Sequence, residues 1–185
     1  CYAIGLFAPL FQFTQVSMGN PLGWVALTIF ESLYLAVFAW LWAAVSGTAW
    51  VREHLLSGTV IFAFLFAGCE QLRSSWPLGG FAWARLAQSQ IYSPLLPLAS
   101  WLGSSGLTFV VALLGALGAL GLVSLLRLRL EKAVTALALA ALLGVGPTFI
   151  ELPTAAQAGT LRVGAVQGSI PGKDPTQAFS REMLV

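Results

Sequence analysis

Glu70 and Arg73 stand three residues apart, a spacing that puts both on one face of a helix. At the end of an apolar span such a pair lies in a partly desolvated zone. There it serves either as an anchoring salt bridge or as a device that positions a loop, or a polar headgroup, beside a reacting centre. Glu31 falls inside an apolar run, where an ionisable group costs about 2.5–3.5 kcal/mol unless it faces protein or water. It is a functional candidate, with a protonated, helix-bonded carboxyl as the alternative. The most distinctive local string is Gly80-Phe81-Ala82-Trp83, followed by Gln88-Ser89-Gln90. Taken alone, Trp83 could be an interfacial anchor. His54 has no Cys, Asp or Ser constellation beside it, so neither a metal nor a nucleophilic site is read there. Cys1 and Cys69 lack metal-ligand or redox spacing, and each reads as a small apolar residue. No metal or cofactor is implied.

These residues are carried by a chain built for lipid. Of its 185 residues 58% are hydrophobic and 9% charged, against roughly 25% charged in soluble domains. Long uncharged runs approach the ~20 residues that cross a bilayer core. The fold class is therefore an α-helical polytopic membrane domain. The net charge of +2 comes without a basic cluster interleaved with aromatics, which sets nucleic acid aside as a partner. Residue 1 is Cys, and the apolar Tyr2 to Phe7 follow it where a processed lipoprotein would carry a polar tether, so the expectation is a chain that starts inside a larger protein.

Residues 1–13 form an apolar run too short to span, read as the end of a truncated helix. Four full spans are expected at about 22–45, 55–75, 103–126 and 133–150, separated by polar or Gly- and Pro-containing breaks. Between the second and third of these, the 76–102 segment mixes Trp76, Trp83, Tyr92 and Trp101 with Gly, Pro, Ser and Gln, a composition suited to the headgroup zone as an interfacial loop or short re-entrant segment. Gly115, Gly118 and Gly121 in the third permit close helix contact. The membrane domain occupies 1–153, a small-residue linker 154–160, and at 161–185 the character changes. Leu161, Val163 and Val166 alternate with Arg162, Gly164 and Gln167 before a Gly- and Pro-containing turn, the start of a strand and so of an α/β domain. Lys and Arg are densest in the loops holding Arg52, Arg127, Arg129 and Lys132. That side is expected to be cytoplasmic, with the aromatic loop and the C-terminal domain outside.

In order along the chain, Glu70-Gln71-Leu72-Arg73, Gly80-Phe81-Ala82-Trp83, Ser89-Gln90, the 103–109 run ending Gly106-Leu107-Thr108-Phe109, and Val163-Gly164-Ala165-Val166-Gln167-Gly168-Ser169-Ile170-Pro171 resemble the bacterial apolipoprotein N-acyltransferase family. The resemblance runs from about Gly19 onward. It departs from the family at Ala82, where a Pro is usual, and after Lys173, where a Trp often precedes the Asp; both put the shape of the outer loop in question. The resemblance implies a cytoplasmic (inner) membrane enzyme with a nitrilase-like αββα domain that begins at 161–185. Such an enzyme moves an acyl chain from a phospholipid to the N-terminal cysteine of a diacylated lipoprotein. The family's route passes through a thioester and uses a Glu, a Lys and a Cys. None of the three matches a position here; all are expected beyond Val185, and the fragment alone is expected to be inactive.

The implied partners are the phospholipid acyl donor, the lipoprotein acceptor and membrane lipid. Glu70, Arg73, Trp83 and Gln90 are the residues expected to line or order the mouth of a lipid-accessible cleft. Two other readings stand beside this one. The first is a non-catalytic membrane anchor or activator domain for a polyprenol-phosphate mannosyltransferase, which shares the architecture. The second, a transporter, would put polar residues at mid-span, and only Glu31 points that way.

Overall fold

The computed structural model describes residues 21–77, 79–82 and 85–150, with Gly164 besides. The chain divides between Leu152 and Pro153, and every helix below belongs to the first unit. The truncated first run at 1–13, the linker at 154–160, the strand expected from residue 161 and the side chain of Trp83 lie outside the described residues.

Among the described residues the first unit has five α-helices: α1 (Pro21–Ser46), the short α2 (Ala49–Glu53), α3 (Leu55–Ser75), α4 (Ala99–Leu126) and α5 (Leu130–Val145). Among the described residues four stretches are long and apolar enough to cross a membrane: Val25–Ser46, Leu55–Ser75, Leu96–Leu126 and Leu130–Phe149. The 46–54 connection is closed by Thr48, whose hydroxyl caps α2 by accepting from the Val51 amide, satisfying one of the donors a helix start leaves open. Between α4 and α5, Leu128 takes a left-handed conformation at φ 55°. The Arg129 amide then donates to Ser124 and the Leu128 amide to Leu125, the pair of bonds that ends a helix on a left-handed residue.

Successive spans run antiparallel, and each packs on the one before it. On α1, Phe38 and Trp42 meet Phe62 and Phe66 of α3 edge-to-face, with ring centroids 5.2–5.3 Å apart, a geometry that sets the positive ring edge against the negative face. Phe64 of α3 meets Phe109 of α4 at 4.6 Å. Small residues join α4 to α5. A Cβ built on Gly121 would stand 2.7 Å from the Leu137 side chain, so the leucine of α5 seats in the space that the glycine leaves, the use of small residues typical of helix contacts in lipid. The opposite faces stay apolar and uncovered: Ile29, Leu33 and Val37 on α1, Val134 and Leu142 on α5. Those faces suit hydrocarbon, which rewards apolar surface and leaves packing and polar contacts to hold the helices together.

The segment between α3 and α4 is neither a span nor an extended loop. It makes two 3₁₀ turns, Leu86–Gln90 and Leu96–Leu98, and drops Ala87 and Leu95 onto Leu107 and Val110 of α4 in one buried cluster. Trp76, Tyr92 and Trp101 remain largely exposed around it, where amphipathic rings suit a headgroup layer. At Gly103, φ 65° and ψ −174° interrupt the helix, a backbone that a residue with a Cβ adopts only under strain. The first turn of α4, from Ala99, is thereby kinked away from the span that follows.

Enlarging the small contact between α4 and α5 tests this packing. Gly121→Leu should cost about 1–3 kcal/mol by overpacking. Gly118→Ala, where an added Cβ meets nothing within 4 Å, should leave stability unchanged or raise it. Reversible unfolding in mixed micelles, measured by circular dichroism, gives both values.

Candidate functional site

The polar residues of the spans gather at the end of α3 that bears the aromatic loop. Arg73, 2% exposed, reaches across to α1 and forms a 3.1 Å ion pair with Glu31, also 2% exposed. The same guanidinium nitrogen donates to the carbonyl of Phe81 at 3.1 Å, and the Phe81 amide donates back to the Arg73 carbonyl at 2.9 Å. One side chain thus ties a span, the end of the next span and the start of the loop. Both charges are removed from solvent, so each depends on the other and on the peptide groups around them.

One helical turn away, Glu70 uses its two carboxylate oxygens separately. One accepts from the Leu86 amide at 2.7 Å, and the other accepts from the Thr108 hydroxyl at 2.5 Å. Leu86 opens the first 3₁₀ turn, and the first amides of such a turn lack partners within it; Glu70 supplies one from a different helix. Thr108 is fully buried in α4, and its hydroxyl is satisfied by this bond. A second, more exposed set lies alongside: Arg85 donates to Gln71 and to Ser105 at 2.8 Å each, and the Ser105 hydroxyl donates to Gln71 at 2.6 Å. The loop is therefore bonded to α3 and α4 on both flanks of its 3₁₀ turn.

Two further contacts press the loop start onto the helix end. The Tyr34 hydroxyl of α1 donates to the Trp76 carbonyl at 2.5 Å. Gly80, at φ 73°, lies so close that a Cβ would stand 2.3 Å from the backbone of Ser74 and Ser75. No other residue fits that position without moving the chain. Glu31, Arg73, Trp76 and Phe81 line a cavity of about 350 Å³ with Leu27 and Gly80, an apolar recess with a charged pair in its wall. Among the described residues no group of three or more His, Cys, Asp or Glu could hold a metal ion.

Of the four residues singled out by sequence, Glu70 and Arg73 are central to this arrangement. Gln90 ends the first 3₁₀ turn, its amide donating to the Ser89 hydroxyl at 2.7 Å, and Trp83 lies outside the described residues. The spacing of Glu70 and Arg73 suggests that the two serve each other. The ion pair of Arg73 instead runs to Glu31, 42 residues away, and Glu70 serves Thr108 and Leu86. Sequence reasoning did not find Tyr34, Gln71, Arg85 or Ser105. Their signal is that polar groups near an apolar span need partners, but nothing local names the partner.

The strings Glu70 to Arg73, Gly80-Phe81 and Thr108 therefore converge on one hydrogen-bonded site. Residues 1–117 match the family model described as the apolipoprotein N-acyltransferase N-terminal domain. The chain belongs to this family. It is similar to the apolipoprotein N-acyltransferase of Shewanella oneidensis, 34% identical over 181 residues that cover 92% of this chain and 32% of that protein. It is likewise similar to the apolipoprotein N-acyltransferase of Azotobacter vinelandii, 32% identical over 204 residues that cover 100% of this chain and 37% of that protein. The chain thus spans about a third of the length of the curated relatives it matches. No solved structure matches it. Within the apolipoprotein N-acyltransferase family, then, the site described here belongs to the membrane-embedded N-terminal part.

Two sets of variants test the network by stability alone. Glu31→Gln and Arg73→Met should each cost about 3–5 kcal/mol, the range for breaking a buried pair. The double variant should cost less than their sum by about 0.5–3 kcal/mol, the coupling of residues in contact; additive losses in denaturant titrations would show that the pair does not couple. Thr108→Val keeps the shape and removes the donor to Glu70, and should cost about 1.5–3 kcal/mol as a hydrogen bond to a charged group.

Proposed function

We propose that this chain is the membrane half of an apolipoprotein N-acyltransferase, which moves an acyl chain from a phospholipid to the N-terminal cysteine of a diacylated lipoprotein. The observation that carries the reading is the family match over residues 1–117, joined to a site in which the family-like strings Glu70 to Arg73, Gly80-Phe81 and Thr108 hold one loop. Acyl transfer between two membrane-bound substrates needs their reacting ends fixed against a catalytic group, since orientation removes much of the barrier. A loop bonded to three spans, with exposed aromatic rings at headgroup level, supplies a rigid rim for that purpose. The thioester chemistry falls to the nitrilase-like domain, whose opening strand we assign to residues 161–185. Alignment of the Azotobacter vinelandii relative along 100% of this chain supports a counterpart to that segment.

In this reading the protein sits in the inner membrane with the 76–98 loop on its outer face, an orientation supported by Arg52, Arg127, Arg129 and Lys132 at the opposite end. Glu70 and Arg73 are positioning residues: they hold Leu86 and Phe81, and through them the stretch that carries Trp83. Trp83 and Gln90 are the residues assigned to the mouth, where an indole and an amide can meet the ester region of a lipid or the lipoprotein's terminus.

Replacing Trp83 by Ala in the complete protein should slow N-acylation of a diacylated lipoprotein by about tenfold or more, the loss expected when an orienting contact is removed. Mass spectrometry of the lipoprotein N-terminus, with membrane levels checked by immunoblot, measures it. Unchanged turnover at normal levels would remove Trp83 from the mouth.

A further inference from the structure

A second, larger cavity of about 580 Å³ runs between α1, α3 and α4, and neither Glu31 nor Arg73 lines it. Its wall is almost wholly apolar. Phe62 and Phe66 of α3 form one side, and Ala112, Gly115 and Ala119 of α4 the other. A Cβ added to Gly115 would meet nothing within 4 Å, so the glycine opens space toward the cavity without serving a helix contact.

The two ends differ in chemistry. One end is closed by Leu86, which the carboxylate of Glu70 holds in place. The other end carries Arg52, with Trp42 and Ser46 beside it. Arg52 is exposed, and among the described residues it makes no ion pair and no side-chain hydrogen bond. From Leu55 to Phe66 the lining of α3 extends about 16 Å at 1.5 Å per residue, close to half of the ~30 Å hydrocarbon core. That stretch of lining matches the length of one leaflet; the cavity is apolar along it, and the cation among its lining residues stands at the end away from Leu86.

We propose that this groove holds a phospholipid from the leaflet on the Arg52 side, with one acyl chain lying along Phe62, Phe66 and Gly115 and the phosphate at Arg52. A planar guanidinium donates two hydrogen bonds to one phosphate, and its charge favours a headgroup with no ammonium of its own, an anionic one. The wall selects a flexible, unbranched chain. Alanine and glycine on α4 leave a trough facing the aromatic side of α3, which a methylene chain fills without a polar group to satisfy. The lipid places its phosphate at the end of the bundle away from the 76–98 loop and runs its chain toward Leu86. It therefore acts as a bound component of the fold, filling a void between three spans that would otherwise lose packing contacts. This proposal does not rest on the acyl-transfer reading.

The test uses the complete protein reconstituted in vesicles of phosphatidylethanolamine and phosphatidylglycerol. The probe is a phosphatidylglycerol whose acyl chain bears a photoactivatable diazirine, and labelled peptides are located by mass spectrometry. The label should concentrate on the stretches holding Phe62, Phe66 and Gly115. Gly115→Phe, which fills the trough, should reduce that labelling to the level seen on the outward face at Val60. Leu122→Phe, on an exposed face of α4, should leave it unchanged. Arg52→Gln, in a connection outside the spans, should weaken labelling by the anionic probe about fivefold, the contribution of one basic residue near an anionic surface. Label spread evenly over groove and outward face would overturn the proposal, as would indifference to Gly115→Phe in protein of normal helix content. Cross-links from groove residues to another segment of the same protein would also overturn it, since the occupant would then be protein. Equal labelling by the anionic probe in Arg52→Gln protein would overturn the assignment of the phosphate.

Discussion

A charge inside an apolar slab must find an opposite charge or a dipole, and that requirement fixes the architecture at the loop end of this bundle. Arg73 and Glu31 are each 2% exposed, a burial that neither could sustain alone. Their pairing sets the rotation and axial offset of α1 against α3. The edge-to-face contacts of Phe38 and Trp42 with Phe62 and Phe66 then fall on the same stripe of each helix. Apolar packing alone would tolerate sliding by a turn or a rotation, since one patch of Leu and Phe resembles the next. A 3.1 Å ion pair with a carbonyl at the same distance does not tolerate it.

The same constraint explains why the 76–98 loop is ordered by helices and not by its own sequence. Among the described residues, its backbone contains two short 3₁₀ turns and only Ala87 and Leu95 as buried apolar anchors. A segment with so little core is expected to open easily. What opposes opening here is a set of bonds arriving from outside it: Arg73 to Phe81, Glu70 to Leu86, Tyr34 to Trp76, and Arg85 out to Gln71 and Ser105. Because the donors and acceptors sit on three different spans, the position of the loop reports the packing of all three.

Much of the bundle was legible in the residues. Uncharged runs of about 20 residues, punctuated by Gly, Pro and charged turns, leave few structures other than spanning helices. The clustering of Trp and Tyr with polar residues marked the 76–102 segment as different from its neighbours. The network itself was less legible. The helical rule that places Glu70 and Arg73 on one face is local, whereas the partners the structure shows for them, Glu31 and Thr108, lie 42 and 38 residues away. Such pairings depend on which faces two spans present to each other, and α1 and α3 carry apolar residues all round. Only the buried carboxylate of Glu31 signalled that its face was turned inward. The large cavity was illegible for a related reason: Gly115 and Gly121 look alike in sequence, yet one opens space and the other closes against Leu137.

The use of charge where apolar residues would pack more cheaply follows from what the loop must do. Replacing a buried ion pair by apolar side chains of similar volume is often neutral or stabilising, so stability alone gives little reason to place Arg73 and Glu31 in lipid. Directional bonding gives a reason. Arg73 lies at the end of a span and meets both the preceding span and the first residues after the turn, so one guanidinium sets where the chain goes next. Gly80 reinforces this, since its contact with the backbone of Ser74 and Ser75 leaves no room for a side chain. Apolar packing between the spans would need neither feature. Holding the start of the loop at one place against α1 and α3 uses both.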